Sequence, residues 1–141
     1  TPLYSSAASD VYKRQVNYLD AVYTEVIASL KNKNIKINIF GFSQGTATVC
    51  RWLANNKVKA DNLILWAGAF PSDMNFEKNK EVFNSINTFV VAGDADEFIN
   101  EEEVLKHLEL LHKNEIAFEL IRFKGKHEID KKVLTDLQKR F

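Results

Sequence analysis

The hydrophobic positions along the chain follow two spacings, which predict strands and helices in alternation. Residues 35–40 alternate β-branched and polar side chains, which indicates a strand. Residues 63–67 and 86–92 are continuous apolar runs of strand length, typical of parallel strands that are buried on both faces. Residues 118–123 alternate less regularly and are predicted to form an edge strand.

Apolar residues at steps of three and four predict amphipathic helices before and between these strands. The predicted helices cover residues 16–31, 46–55, 76–83 (a short helix or turn) and 101–114, and a final helix begins after its cap Asp130 and carries Val133, Leu134 and Leu137. In the first helix the residues predicted to face inward are Val16, Leu19, Val22, Tyr23, Val26, Ile27 and Leu30. In the fourth helix, which Asn100 caps, they are Val104, Leu105, Leu108 and Leu111. The alternation predicts an α/β fold with a mainly parallel sheet and helices on both faces.

The composition excludes several classes of function. Nineteen basic and nineteen acidic residues cancel, so no charge field points to nucleic acid or to an anionic membrane. No apolar run is long enough to cross a bilayer. Cys50 is the only cysteine, so the chain can form neither an internal disulfide nor a cysteine-based metal site. A lone cysteine fits a reducing compartment such as the cytoplasm.

The first fifteen residues are predicted to lie outside the natural domain. Ser5–Gln15 matches the in-frame translation of a transposase sequencing adapter, and chance agreement over this length is very improbable. We therefore assign residues 1–15 to a non-native segment and residues 16–141 to a partial domain. On this interpretation the coding sequence begins inside a gene near Val16, and the question of a signal peptide stays open.

The segment Gly41-Phe42-Ser43-Gln44-Gly45 joins the first predicted strand to the second predicted helix. In that context a G-x-S-x-G sequence is a nucleophile elbow, a sharp turn that presents the serine at the top of a sheet. The two glycines are expected to let the strand and the helix approach closely. The helix N-terminus favours developing negative charge beside the serine. Ser43 is therefore the candidate nucleophile, and an ordinary strand-to-helix turn is the alternative.

A serine hydroxyl needs a neighbouring base and a third group that orients this base. Two later loops supply candidates, each directly after a predicted strand. Residues 93–99 contain Asp94 and Asp96, and residues 124–129 contain His127. Because the carboxyl ends of parallel strands meet at one edge of the sheet, we expect both loops to lie beside the elbow. Either aspartate is a candidate acid on this argument.

Taken together, the three loops resemble a known family. Their motifs are Gly41-Phe42-Ser43-Gln44-Gly45, Gly93-x-x-Asp96-x-x-Ile99 and Gly125-x-His127-Glu128-Ile129. In this order they are similar to the motifs of the phospholipase/carboxylesterase group of small serine esterases, within the α/β-hydrolase superfamily. The resemblance covers residues 35–141 and implies the C-terminal part of an α/β-hydrolase fold.

The resemblance also implies a role for each site residue. Ser43 is the nucleophile, His127 the base and Asp96 the acid, since in the family pattern the acid stands three residues after the glycine. The backbone N–H of Gln44 is expected to be one donor of the oxyanion hole. In the superfamily the second donor comes from a loop after an earlier strand, a segment that this sequence does not include.

Other aromatic and histidine residues are weaker candidates for a role in the site. Phe42 lies beside the nucleophile, and Phe70 lies in the loop after the predicted strand at residues 63–67. Both could line the substrate site, although packing explains them equally well. His107 and His112 are expected to be exposed or half-buried helical residues. Their spacing gives no zinc site, so neither a metal nor another cofactor is expected.

The predicted reaction is hydrolysis of a small-molecule carboxylic ester through an acyl-enzyme, with short acyl esters or lysophospholipids as the substrate class. A thioesterase that acts on acyl-proteins or acyl carriers uses the same triad and is one alternative. A hydrolase-like scaffold that binds a partner without catalysis is another. This chain is expected to be nearly inactive and poorly stable, because one oxyanion donor is missing and the elbow strand becomes an exposed apolar edge.

Overall fold

The chain forms a four-stranded parallel sheet with helices on both faces, and the computed structural model describes residues 3–141. In chain order the elements are α1 (Leu3–Ser29), β1 (Asn38–Phe42), α2 (Gln44–Ala54), β2 (Asn62–Trp66), α3 (Phe76–Asn84), β3 (Asn87–Gly93), α4 (Glu101–Lys113), β4 (Glu119–Phe123) and α5 (Lys131–Gln138). The strands lie in the order β1-β2-β3-β4, and each neighbouring pair is parallel. The predicted α/β architecture is confirmed.

Alternate residues of β2 divide between two hydrophobic clusters, one on each face of the sheet. Leu63 and Leu65 belong to the larger cluster, which also holds buried side chains from α1, α2, α3 and α4. Ile64 and Trp66 belong to the smaller cluster, together with Leu137 of α5. All five residues of β2 are buried, which is the burial that its continuous apolar run predicts.

The first helix is longer than predicted and buries a narrower stripe. It starts at Leu3, and Val16 is buried against α2 while Leu19 and Tyr23 are partly buried. The prediction that Val22 and Val26 point inward is wrong, since they are 40% and 50% exposed. A single helix that packs on α2 covers only one narrow line of its surface, and these two valines lie beside that line.

Residues 3–15, which the sequence analysis set apart, form the first half of α1. Tyr12 contacts the domain, because the guanidinium carbon of Arg51 lies 3.5 Å from the centre of its ring. The adapter assignment concerns the origin of this segment and stays a prediction. Although α1 is long, no helix within residues 3–141 has the length and apolarity needed to span a membrane.

The fourth helix begins as predicted but faces the core differently. Asn100 caps it, and its side chain and that of Glu103 form a reciprocal capping box. The residues that α4 buries are Val104, His107 and Leu111. Leu105 is 55% exposed, so its inward prediction is wrong, and His107 is buried although it was expected at or near the surface. The apolar periodicity therefore located the helix and correctly placed Val104 and Leu111 in the core, with Leu108 partly buried, but it missed that His107 and not Leu105 faces inward.

The elbow strand differs from its predicted bounds and lies at one edge of the sheet. It begins at Asn38 and continues through Phe42, so the strand carries the chain directly into the turn. No strand within residues 3–141 pairs with the outer side of β1, and Phe40 is 37% exposed. This is the exposed apolar edge that was expected. The predicted edge strand at the other side is confirmed as β4.

The two glycines of the elbow have different surroundings. A Cβ atom added to Gly41 would lie 2.8 Å from both the Gly45 carbonyl oxygen and the Thr46 Cα, so a side chain there would separate β1 from α2. A Cβ atom at Gly45 would meet no atom within 4 Å. The predicted close approach is therefore confirmed for Gly41, whereas Gly45 contributes only its backbone to it.

This difference yields a matched pair of substitutions. Gly41→Ala should destabilise the fold by about 1–3 kcal/mol, because the new methyl group overlaps backbone atoms that cannot rotate away. Gly45→Ala lies inside α2 and should be neutral or stabilise by up to about 1 kcal/mol, because alanine favours helix over glycine. Urea unfolding measures both free energies, and equal effects at the two positions would contradict this account.

Candidate active site

Ser43 occupies the turn between β1 and α2 with a strained backbone. Its φ is 54° and its ψ is −122°, a region that costs a non-glycine residue about 1–3 kcal/mol. The Ser43 N–H donates to the Trp66 carbonyl oxygen at 2.9 Å, and the Ser43 carbonyl oxygen accepts from the Thr46 N–H at 3.1 Å. These bonds hold the turn on both sides and place the hydroxyl at the carboxyl edge of the sheet.

Three side chains that are far apart in the sequence meet at this edge. The Ser43 Oγ lies 2.9 Å from the His127 Nε2, and the His127 Nδ1 lies 2.8 Å from the Asp96 Oδ2. Because an ionised carboxylate only accepts, Nδ1 carries the proton, and Nε2 of the neutral imidazole accepts from the serine hydroxyl. The structure thus brings the predicted nucleophile, base and acid together in the order that a catalytic triad requires.

Asp96 is held as a buried carboxylate. Its side chain is 1% exposed, and its Oδ1 accepts from the N–H groups of Phe98 at 2.8 Å and Ile99 at 2.9 Å. Burial by itself raises the pKa of Asp96, but the Ile99 N–H, His127 and the Phe98 N–H outweigh it and lower the pKa below its ordinary value. The group therefore stays charged at neutral pH, and its Oδ2 orients the imidazole while the two backbone N–H groups hold its Oδ1.

The other candidate acid, Asp94, lies away from the imidazole. Its side chain is 54% exposed, and its Oδ1 is 3.9 Å from a guanidinium nitrogen of Arg122. Its N–H donates to the Phe123 carbonyl oxygen at 2.9 Å, which ties the end of β3 to the end of β4. Asp94 is therefore a turn residue, and the geometry selects Asp96 as the partner of His127.

The loop that carries His127 is anchored to the neighbouring strands. The indole Nε1–H of Trp66, at the end of β2, donates to the Glu128 carbonyl oxygen at 2.8 Å. The Ala95 N–H, in the acid loop, donates to the Gly125 carbonyl oxygen at 2.9 Å. Trp66 was predicted to be a core residue, and it is fully buried. Its second role as an anchor of the histidine loop could not be recognised from the sequence.

Two phenylalanine rings flank the imidazole. The ring centre of Phe42 is 5.0 Å from that of His127, and the ring centre of Phe98 is 4.9 Å from it. Phe98 is 73% exposed, an unusual environment for a large apolar side chain, and sequence reasoning did not single it out. Its signal was a phenylalanine inside an acidic turn. The substrate-binding role of Phe42 stays a prediction, and its ring lies next to the reacting groups.

Gln44 is the first residue of α2. The first N–H groups of a helix have no acceptor within the helix, so they are available to an external anion. Gln44 directly follows Ser43 in the chain, so its N–H is at the helix N-terminus beside the nucleophile. This is the position expected of an oxyanion donor, and the role itself stays a prediction.

Phe70, the other predicted substrate contact, lies in the core. It is 4% exposed, and its ring packs against those of Phe76, Phe83 and His107. Its N–H donates to the His107 Nε2 at 3.2 Å. These contacts explain Phe70 as a packing residue, and its role in substrate binding stays a prediction without a contact to the triad to support it.

The remaining polar candidates, His112 and Cys50, have surroundings that indicate packing and no second site. Within residues 3–141 no group of three or more His, Cys, Asp and Glu side chains is arranged to hold a metal ion. His112 is exposed and lies edge-on to the Phe118 ring at 5.0 Å between centres. Cys50 is fully buried, and burial raises its pKa far above the ordinary value, so it stays a neutral thiol within the core.

The comparison with known proteins agrees with this geometry. The model of the phospholipase/carboxylesterase family matches residues 4–141. The chain belongs to the phospholipase/carboxylesterase family. A sequence search of curated proteins gives no significant match. The family match includes most of the segment assigned to adapter sequence, and it does not test where that segment came from.

Solved structures of the α/β-hydrolase type share the fold at low sequence identity. An uncharacterized protein from Bacillus cereus is 21% identical with a TM-score of 0.69 over 92% of this chain and 43% of its own. Acyl-protein thioesterase 2 from Zea mays is 14% identical with a TM-score of 0.65, covering 92% and 61%. S-formylglutathione hydrolase from Staphylococcus aureus is 14% identical with a TM-score of 0.65, covering 96% and 62%. The chain thus spans between 43% and 62% of the length of these proteins, and it shares part of their fold.

The distinction between the two aspartates can be tested directly. Asp96→Asn should lower the rate of Ser43 acylation by roughly 10⁴-fold, because an amide N–H facing His127 Nδ1 forces the wrong imidazole tautomer. The exposed Asp94→Asn should leave the rate unchanged. The measurement is the labelling rate with a fluorophosphonate, and a large loss in the Asp94 variant instead would reverse the assignment.

The buried His107 makes stability depend on pH in a defined window. Desolvation lowers its pKa to about 4, against about 6.5 in an unfolded chain. Above about pH 6.5 the imidazole is neutral in both states and the free energy of unfolding is not reduced. As the pH falls to about 4, the free energy of unfolding drops by about 3 kcal/mol, because the unfolded chain binds the proton at a higher pH than the folded chain does. Urea unfolding between pH 7 and pH 4 should show this loss, and His107→Gln should remove it; equal slopes for both proteins would contradict the burial argument.

Proposed function

We propose that this chain carries the catalytic core of a serine hydrolase that cleaves carboxylic esters through an acyl-enzyme intermediate. The observation that carries the proposal is the continuous relay from the Ser43 Oγ through both imidazole nitrogens of His127 to Asp96, with distances of 2.9 Å and 2.8 Å. A serine in an elbow, a neutral imidazole and a buried carboxylate in this arrangement have no simpler structural explanation, since the strained Ser43 backbone costs stability.

The proposed reaction has two halves, acylation of Ser43 and hydrolysis of the acyl-enzyme, and the same groups act in both. The Ser43 hydroxyl attacks the ester carbonyl carbon while His127 Nε2 takes its proton, and Asp96 stabilises the imidazolium that forms. The Gln44 N–H donates to the oxyanion. His127 returns the proton to the leaving alcohol, which breaks the ester bond and leaves Ser43 acylated. Water then attacks the acyl group by the same route and releases the acid.

The proposed substrates are small molecules with short acyl esters or lysophospholipids. The exposed Phe98 and the half-buried Phe42, on the imidazole, offer an apolar surface for an acyl or alkoxy group. A thioesterase is the second candidate, because the same triad attacks a thioester and one structural relative is an acyl-protein thioesterase. The third candidate is a non-catalytic binding scaffold. It is less favoured, because binding alone would not require the intact hydrogen bonds between Ser43, His127 and Asp96.

The 141-residue chain itself is proposed to turn over slowly. An oxyanion hole uses two donors, and loss of one costs roughly 100- to 1000-fold in rate. We assign one donor to the Gln44 N–H, and in the superfamily that this sequence resembles the second donor comes from a loop after an earlier strand, which the 141 residues do not include. The unpaired edge of β1, with Phe40 exposed, adds a tendency to associate. A cytoplasmic location is proposed from the single cysteine, which is buried as a thiol.

A fluorophosphonate probe tests the nucleophile. The wild-type chain should be labelled at Ser43 over hours, since labelling accumulates even when turnover is slow, and Ser43→Ala should not be labelled. Thr48→Ala removes a half-buried hydroxyl of the same helix, 3.5 Å from the Gln15 Oε1; it is the matched control and should label normally. A folded wild-type chain that takes up no probe would favour the scaffold.

Turnover measurements separate the other candidates. A short p-nitrophenyl ester and the matching thioester, compared at equal acyl length, show which substrate has the higher kcat/KM. A kcat of an ordinary esterase for the 141-residue chain, about 10 s⁻¹, would overturn the proposal of slow turnover while leaving the triad assignment intact.

A further inference from the structure

The loop that follows β2, residues 67–70, is bonded to the nucleophile elbow. The Thr46 hydroxyl lies 2.7 Å from the Ser43 carbonyl oxygen and 3.0 Å from the Ala69 carbonyl oxygen. A Cβ atom at Gly68 would lie 2.3 Å from the Thr46 Oγ1 and 2.4 Å from the Ser43 carbonyl oxygen. The loop and the elbow are therefore in direct contact. We expect a movement of the loop to disturb the hydrogen bonds that hold the elbow.

The same loop is strained and borders a cavity on its other side. Ala67 has a φ of 50°, a conformation that a non-glycine residue keeps only where its surroundings impose it. A cavity of about 130 Å³ lies against the loop, and its walls include Ala67, Gly68, Ala69, Val90, Ile99 and His107. The Ala67 N–H donates to the Val91 carbonyl oxygen at 2.9 Å and the Phe70 ring packs in the core, so both ends of the loop are held. On the cavity side packing is incomplete, and a hydrogen bond there adds to the support of the loop.

His107 provides such a contact from α4. Its Nε2 accepts from the Phe70 N–H at 3.2 Å, and the residue is only 6% exposed. The donor role of that N–H requires a neutral imidazole whose Nδ1 carries the proton. The helix that bears His107 begins directly after the loop in which Asp96 accepts from the Phe98 and Ile99 N–H groups. One side chain thus joins the helix that follows the acid loop to the loop that lies against the nucleophile elbow.

We propose that His107 is a positioning residue for the reaction, which holds the loop at residues 67–70 against the elbow and so keeps the Ser43 hydroxyl in reach of His127. It acts through the Phe70 N–H and the Thr46 hydroxyl and touches neither substrate nor reacting atoms. The inference rests on the proposed hydrolase function for its kinetic consequence. Its structural part, the coupling of α4 to the elbow, stands on the contacts alone.

A role in packing alone makes a different prediction. The His107 ring lies 5.8 Å from the Phe70 ring between centres, so an apolar side chain could replace that contact. Leucine would fill the space but leave the Phe70 N–H without an acceptor, whereas glutamine carries an oxygen acceptor on a side chain of similar reach. The two substitutions therefore separate the hydrogen bond from the volume.

The experiment compares the fluorophosphonate labelling rate of Ser43 per folded molecule in the complete 141-residue chain. The variants are His107→Leu, His107→Gln and the control Asn62→Leu, which removes a buried amide bonded to Asn38 and Asn87 at the opposite edge of the sheet. Urea unfolding gives the folded fraction of each. Backbone amide chemical shifts of Ser43 and Thr46 report the position of the elbow without any reaction.

We expect His107→Leu to slow labelling by about 10- to 100-fold and to shift both amide signals. His107→Gln and Asn62→Leu should label at nearly the wild-type rate with unchanged signals. Wild-type labelling by His107→Leu, or failure of glutamine to restore the rate, would overturn the proposal. If His107→Leu does not fold, Thr46→Val cuts the same link on the elbow side and should show the same slowing.

The two hypotheses fail in different ways. A wild-type chain that is not labelled at all removes the proposed function, and the amide signals alone then decide about His107. In that case unchanged Ser43 and Thr46 signals in His107→Leu would overturn the positioning role, and shifted signals that glutamine restores would support it.

Discussion

The structure depends on one strained residue that must be held from all sides. Ser43 leaves β1 with a φ of 54°, and such a conformation survives only where neighbouring contacts leave no alternative. Its N–H is bonded to β2, its carbonyl oxygen to the first turn of α2, and the missing side chain of Gly41 lets strand and helix close around it. The fold spends stability here so that a hydroxyl stands at the carboxyl edge of the sheet.

Trp66 connects this turn to the rest of the site. Its carbonyl oxygen accepts from the Ser43 N–H, and its indole N–H donates to the Glu128 carbonyl oxygen beside His127. A single buried residue at the end of β2 therefore fixes the nucleophile on one side and the base loop on the other. The acid loop is tied to the base loop through Ala95 and Gly125. The relative positions of the three groups are thus set by hydrogen bonds between backbone groups and by the Trp66 indole, which tolerate little displacement.

Almost every element can be located from the sequence because its signals are local. Continuous apolar runs marked β2 and β3, Asn100 and Asp130 marked two helix starts, and all four were where the pattern indicated. The pattern fails where the answer depends on a neighbour. Leu105 carries the periodicity of a core residue, yet His107 is buried instead, because the partner surface of α4 is the loop after β2 and a polar atom is needed there.

By itself the sequence determined the fold class, Ser43 and His127 as candidates and, through the family resemblance, Asp96, since a strand-turn-helix motif and ordered loops after strands are contained in short segments. Only the tertiary structure decided between Asp94 and Asp96 on geometric grounds, placed Phe98 on the imidazole and buried Phe70 in the core. Each of these outcomes depends on distances between segments that are remote in the chain. Such distances follow from how strands pair and helices pack, and no single segment encodes them.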